Sequence, residues 1–223
     1  MDGLALARLR PESLAHIADD ERNPRWQQRK SLATRNALLD AALLCLAEDG
    51  YGGCSLQSVA NRARVSRGAM LHHYASKLEL MSAVIEYAFY RRMALFLERI
   101  RALSDDERME RNLGIAVSYR ISQTPEYRAY LECHIASRTD PELRAIFLQR
   151  SELYHHVWSE EVRKVFPEWG GDPRLDMLND FVWVMVDGLA LNSDIWDDEV
   201  RVQTIIDFVA QTIRRLRLGD AGT

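Results

Sequence analysis

The chain has 223 residues, 47% of them hydrophobic, enough to bury a sizeable core either as one large domain or as a small domain joined to a larger one. Charged residues make up 28%, with 11 glycines and 6 prolines, which excludes a disordered, collagen-like or low-complexity chain. The formal net charge of −4, taken as an average, argues against a protein whose partner is a polyanion.

The segment Met1–Glu21 scatters its charges and has no continuous apolar stretch, so it does not read as a signal peptide. Residues 1–27 are expected to form a flexible, polar extension. The first helical pattern runs from about Ser31 to Asp49, carried by Leu38, Leu39, Ala42, Leu43 and Leu46, with Gly50 as its stop. Gly50-Tyr51-Gly52-Gly53 does not qualify as a phosphate cradle, because neither a preceding strand nor a Lys-Ser/Thr sequel accompanies it. Ser55 then caps a short helix, Leu56–Ala63, whose inward face is Leu56, Val59, Ala60 and Ala63. Arg64-Val65 makes a tight connection, and Ser66 caps a second short helix, Arg67–His73. Two helices of about two turns joined by three or four residues are a helix-turn-helix unit. The start of its second helix, Ser66, Arg67, Gly68 and Ala69, can face base edges in a major groove.

A longer helix follows from Lys77 to about Leu103, capped by Ser76. Beyond it, Pro125, Pro141, Pro167 and Pro173 punctuate helical periodicities. Asp140-Pro141 and Asp172-Pro173 each read as an N-cap with proline at the first helical position. Leu143, Ile146, Phe147, Tyr154, Val157 and Val162 hold one helix face, as do Leu175, Leu178, Val182, Met185 and Leu189, and Val202, Ile205, Ile206, Val209, Ile213 and Leu216. No stretch alternates with a period of two, so the fold class is all-α. The longest apolar run, Phe181–Leu191, is interrupted by Asp187 and falls short of a membrane span, and a soluble cytoplasmic protein is expected. Cys45, Cys54 and Cys133 are odd in number and lack a C-x-x-C pair, so they read as packing residues in a reducing compartment.

The charge is unevenly distributed. Residues 22–77 hold nine basic and three acidic groups, a net +6, which leaves −10 on the remainder. A basic small unit joined to an acidic larger one suits contact with a polyanion at one end only, although an unevenly charged solvated surface gives the same count.

Residues 31–85 resemble the N-terminal DNA-binding domain of the TetR (tetracycline repressor) family of bacterial transcriptional regulators. The similarity is carried by Arg35, Leu38, Leu39, Ala41, Ala42, Gly50-Tyr51, Ser55, Val59-Ala60, Ala63, Val65-Ser66-Arg67-Gly68, His72, Tyr74, Ser76-Lys77 and Leu80. Three residues depart from the family pattern. Arg64 replaces a turn glycine, Leu71 replaces a tyrosine that contacts a phosphate, and Tyr74 replaces a core phenylalanine.

The resemblance implies a three-helix DNA-binding head at 28–80 and a larger helical ligand-binding and dimerisation domain at 81–223. It places Lys77 on a DNA phosphate, at a helix N-terminus that adds its own positive end. The candidate DNA-contacting set is Ser55, Gln57, Ser66, Arg67, Gly68, Ala69, His72, His73 and Lys77. Arg25, Arg29 and Lys30 read equally as an arm onto the backbone or minor groove and as a solvated tail. Adjacent histidines on a helix point about 100° apart, so His72-His73 suits groove-facing polar side chains better than a metal site. No metal or cofactor is expected.

The family also implies dimerisation through the last two helices, about Pro173–Asn192 and Glu199–Arg217, where Gly188 and Ala190 permit close approach; core packing within one subunit would give the same apolar pattern. The midsection mixes Tyr119, Tyr127 and Phe147 with a candidate ligand set of Tyr130, His134, Tyr154, His155, Trp158, Trp183 and Asp187, suited to a small, partly apolar or aromatic effector. The expected function is an effector-released homodimeric repressor of a pseudo-palindromic operator, with an activator or ligand-independent regulator as the alternative. An enzyme is disfavoured, since no nucleophile elbow, metal quartet or cofactor loop is present.

Overall fold

The computed structural model describes residues 4–11, 26–104, 106–107, 114–169 and 171–219. Every regular element among them is helical. They are α1 (Leu4–Leu9), α2 (Trp26–Gly53), α3 (Leu56–Arg62), α4 (Arg67–His73), α5 (Lys77–Arg101), α6 (Ile115–Ser122), α7 (Pro125–Ala136), α8 (Pro141–Val165), α9 (Arg174–Trp196) and α10 (Glu199–Gly219), with a 3₁₀ turn at Pro167–Trp169. No helix of the described residues is long and apolar enough to cross a membrane. The helix boundaries follow the sequence punctuation closely. Pro141 opens α8, and Asp140 accepts the Leu143 N–H at 3.0 Å, as an N-cap should. At the other Asp-Pro pair the helix starts one residue later than expected. Pro173 is itself the cap, while the Asp172 carboxylate takes the Arg174 N–H at 2.9 Å and the Arg174 guanidinium at 2.7 Å.

The chain forms two compact units. The first comprises Met1–Ala94 with Pro125–Trp158. Within it, α2 packs on α3 and on α7, and α3 packs on α4. Leu38, Leu39, Ala42 and Leu46 from α2, Val59 and Ala60 from α3, Met70 from α4, and Tyr74, Leu80 and Met81 make its buried centre. Burying each of the larger side chains stabilises by about 1.5–3 kcal/mol. The N-terminal extension, expected to be flexible, includes the short helix α1, whose Leu9 is buried.

One joint holds this unit together around Tyr51. The chain breaks helical geometry at Gly50, where φ is 70° and ψ 176°. A Cβ there would meet the Glu132 carboxylate at 3.2 Å, so glycine serves both the left-handed backbone and the close approach. Immediately after it, the Tyr51 N–H donates to Glu132 Oε2 at 3.3 Å, and the Tyr51 hydroxyl donates to Asp140 Oδ2 at 3.1 Å. The Lys77 ammonium donates to the Tyr51 carbonyl at 2.6 Å and lies 4.0 Å from the centre of its ring. Tyr51 thereby ties the end of α2 to α7, to the start of α8 and to the start of α5. Two further links parallel it: Tyr87 on α5 donates to Asp40 on α2 at 2.7 Å, and Arg91 pairs with Glu126 on α7 at 2.9 Å.

The second unit comprises Leu95–Thr124 with Ser159–Thr223. There α6 packs on α9 and α10, and α9 packs on α10. Leu175, Leu178, Val182, Val186 and Leu189 of α9, with Val202, Ile206, Val209 and Ile213 of α10, are buried. Glu161, only 1% exposed, is held by Lys164 at 2.7 Å and Arg101 at 3.4 Å. Burial without such partners would be costly for a carboxylate.

Burial, then the Asp140 carboxylate, raise the Tyr51 phenol to about 12. A folded-state value above the unfolded value near 10 means stability that is complete below pH ~10 and lost as pH rises through the folded value. Tyr51→Phe is therefore expected to cost about 0.5–1.5 kcal/mol at neutral pH. Urea unfolding across alkaline pH should show that difference shrinking between about 10 and about 12. A difference independent of pH contradicts the assignment.

Candidate functional site

The helix-turn-helix is built from its caps outward. Ser55 and Ser58 form a reciprocal capping box: the Ser55 hydroxyl accepts the Ser58 N–H at 3.0 Å, and the Ser58 hydroxyl accepts the Ser55 N–H at 2.8 Å. The turn closes through Arg64 N–H to Asn61 O at 3.1 Å and Val65 N–H to Ala60 O at 2.9 Å. Arg64, the residue in place of the usual glycine, adopts a left-handed φ of 56°. Ser66 caps α4 by accepting the Ala69 N–H at 3.2 Å.

On α4, Met70 and the following Tyr74 point into the core, which turns Arg67, Gly68, Leu71 and His72 outward to solvent. Ala69 and His73 are half-buried beside them. Among the described residues nothing beyond the adjoining backbone of its own helix lies within 4 Å of a Cβ built on Gly68, so the start of this helix can approach another surface closely. The two histidine rings meet edge to face at 5.4 Å. Burial, then the neighbouring His72, hold His73 below the ordinary imidazole range. It therefore gains charge only in more acidic solution.

The remaining candidates divide. Gln57 is exposed, its amide donating to Asn61 at 2.8 Å. Lys77 is half-buried, with one donor engaged by Tyr51. An ammonium has three donors, so two remain. Arg62, counted among the basic groups of the head, is paired with Glu48 at 2.6 Å and near Asp49 at 3.7 Å. Arg29 and Lys30 are exposed, whereas Arg25 lies outside the described residues.

Of the ligand candidates, Tyr130, His134, Tyr154, His155 and Trp158 belong to the first unit. Phe89 connects them: its ring stacks on Tyr154 at 4.4 Å and lies 5.5 Å from Tyr130, and Trp158 stacks on Tyr154 at 5.9 Å. His134 stacks on Phe147 at 5.1 Å, nearly parallel. Both His134 and His155 are exposed. Trp183 and Asp187 are half-buried residues of α9 in the second unit.

Sequence reasoning overlooked Arg92. Its side chain is 5% exposed, and its guanidinium sits 3.9 Å from the centre of the Tyr130 ring and 4.1 Å from that of Tyr127. Desolvated contacts of this kind contribute roughly 2 kcal/mol. The available signal was a cation between Phe89 and Phe96 on the apolar face of α5. Cys45, Cys54 and Cys133 are buried, unpaired thiols, and burial raises Cys54 to about 12, which suits the packing role expected of them. No cluster of three or more potential metal ligands occurs among the described residues.

The left-handed Arg64 supplies a test. Glycine adopts this conformation without the Cβ clash, which costs roughly 1–2 kcal/mol, but loses more entropy on folding. Arg64→Gly is expected to raise stability by up to about 1 kcal/mol, or about 2–4 °C in Tm. A lower melting temperature contradicts the turn geometry.

Residues 38–84 match the model for bacterial regulatory proteins of the tetR family. The HTH-type transcriptional regulator CymR of Pseudomonas putida is 28% identical over 81% of this chain and 89% of its own length. BetI, an HTH-type transcriptional regulator of Paraburkholderia xenovorans, is 26% identical over 78% of this chain and 91% of its own. Among solved structures, the multidrug binding protein EbrR complexed with imidazole superposes with a TM-score of 0.55 at 22% identity, covering 82% of this chain and 93% of that one. The fold is thus shared beyond the head, and CymR and BetI are both named as transcriptional regulators. Residues 38–84 match the DNA-binding domain of bacterial regulatory proteins of the tetR family, and over most of its length the chain is similar to helix-turn-helix regulators of transcription.

Proposed function

We propose that the chain is a cytoplasmic, homodimeric repressor that binds a pseudo-palindromic operator and is released by a small, partly apolar or aromatic effector. The observation that carries this reading is the outward face of α4, where Arg67, Gly68, Leu71 and His72 stand clear of the core on a helix capped by Ser66. In the docking we infer, Arg67 takes a guanine edge, while Ala69 and Leu71 meet thymine methyl groups. Ser55, Gln57, Ser66 and Lys77 position the head on phosphates, with His72 and His73 beside the groove. The head spans 28–80 and the effector and dimerisation domain 81–223.

Dimerisation is supported by a second apolar stripe on the last two helices. Besides their buried residues, α9 exposes Met177, Phe181, Val184, Leu191 and Ile195, and α10 exposes Val200, Phe208 and Leu216. Val184 and Ile195 are 72% and 77% exposed, and among the described residues nothing beyond the adjoining backbone of its own helix comes within 4 Å of a Cβ built on Gly188. Such a patch on a soluble regulator suits a self-complementary interface. For the effector, Tyr130, His134, Tyr154, His155 and Trp158 of the first unit are the proposed contacts. The head is joined through Tyr51 to α7 and α8, which carry all five. A ligand that favours one setting of this joint would alter DNA affinity by its differential binding.

Selection of bound genomic fragments, followed by titrations of variants, tests the reading. Arg67→Ala is expected to relax preference at one base position, costing about 1–3 kcal/mol. Lys77→Ala should weaken all sequences alike and lower the salt slope by about one. DNA binding unchanged in both variants overturns the docking, and a Lys77→Ala slope equal to the wild type confines Lys77 to its contact with Tyr51. In sedimentation experiments Val184→Glu is expected to produce monomers; an undiminished dimer contradicts the interface.

A further inference from the structure

Arg62 and Arg64 stand two residues apart where α3 ends, and their surroundings differ. Arg62 is answered by Glu48 at 2.6 Å and lies 3.7 Å from Asp49. Arg64 is exposed, and among the described residues no carboxylate pairs with it. Its bond within the turn, N–H to the Asn61 carbonyl at 3.1 Å, is made by backbone atoms and needs no particular side chain. The φ of 56° is left-handed, where a Cβ crowds the following carbonyl oxygen and glycine escapes the clash. The arginine side chain thus burdens the turn without helping to build it. Non-glycine residues held in such conformations cluster at functional sites, where the strain is tolerated for what the side chain does.

We propose that Arg64 anchors the head on a DNA phosphate at the rim of the groove that α4 enters, an assignment that rests on the docking inferred above for α4. Arg64 precedes Arg67 by three residues, and consecutive Cα atoms are about 3.8 Å apart, so the two Cα atoms lie within about 11 Å. A major groove is about 12 Å wide and about 8.5 Å deep. With Arg67 at the base edges, a cation outside the helix at that distance meets the backbone at the rim and not the floor. A guanidinium holds a phosphate through charge-assisted, often paired hydrogen bonds. Such a contact fixes register and carries no sequence information. The glycine usual in this turn would supply none.

Titrations of the full chain over a range of salt, with a selected genomic fragment and with a random-sequence duplex of equal length, test the assignment. Arg64→Asn removes the charge and keeps a residue that tolerates the left-handed turn. It is expected to weaken both duplexes by the same factor, about ten-fold or more at low salt. The salt slope should fall by about one for each subunit bound. Arg64→Gly should behave alike, and Arg64→Lys should keep the wild-type slope. Loss of folded protein would scale every affinity without moving the slope. Arg67→Ala and Lys77→Ala, titrated in parallel, separate this contact from the docking beneath it. If they alter binding while Arg64→Asn keeps the wild-type slope, the Arg64 contact alone is overturned; if none of the three alters binding, the docking falls with it. A loss in Arg64→Asn confined to the selected fragment, or a lowered slope in Arg64→Lys, would also overturn the assignment.

Discussion

The joint at Gly50-Tyr51 constrains the rest of the first unit. A left-handed glycine turns the chain out of α2, and every polar group of the next residue is then engaged: the N–H by Glu132, the carbonyl and ring by Lys77, the hydroxyl by Asp140. Three helices begin or pass at this point, so the direction of α5 away from the head is set by contacts made on α7 and α8. Single hydrogen bonds of this kind contribute about 1 kcal/mol each, but their convergence on one residue makes them interdependent. The same contacts keep the Lys77 ammonium half-buried, which narrows what it can offer to DNA.

Much of the head was legible in the sequence because its signals are local. Ser55 and Ser66 sit immediately before short apolar patterns, and hydroxyl caps at those places permit few other structures. The expected helix Arg67–His73 is the observed one, and Leu56–Ala63 runs one residue past the observed end at Arg62. Arg64 was recognisable as a non-glycine residue in a turn that favours glycine, and its φ of 56° follows. The Tyr51 joint was not legible, since its partners lie 81 and 89 residues away, a separation that no local periodicity reports. Arg92 was missed for a related reason. A cation on an apolar face looks like an interruption until the rings that enclose it are brought together from α5, α7 and α8.

The last two helices show where pattern reading reaches its limit. Their breadth of apolar residues fits one-subunit packing and self-association equally well. Exposure divides the residues themselves: Val182 and Val209 are buried within the chain, while Val184 and Phe208 are not. Charge behaves likewise. The head's excess of +6 is a count of residues, whereas Arg62 is answered by Glu48 and one Lys77 donor by Tyr51. The cationic face available to a polyanion is therefore narrower than the count and centres on the exposed start of α4.

Footprinting of the full chain on a selected genomic fragment tests the central claim most directly. A dimer presenting one α4 from each subunit is expected to protect two patches on the same face of the duplex, with centres about 34–36 Å apart. A single protected patch, or uniform protection without a defined spacing, would contradict it.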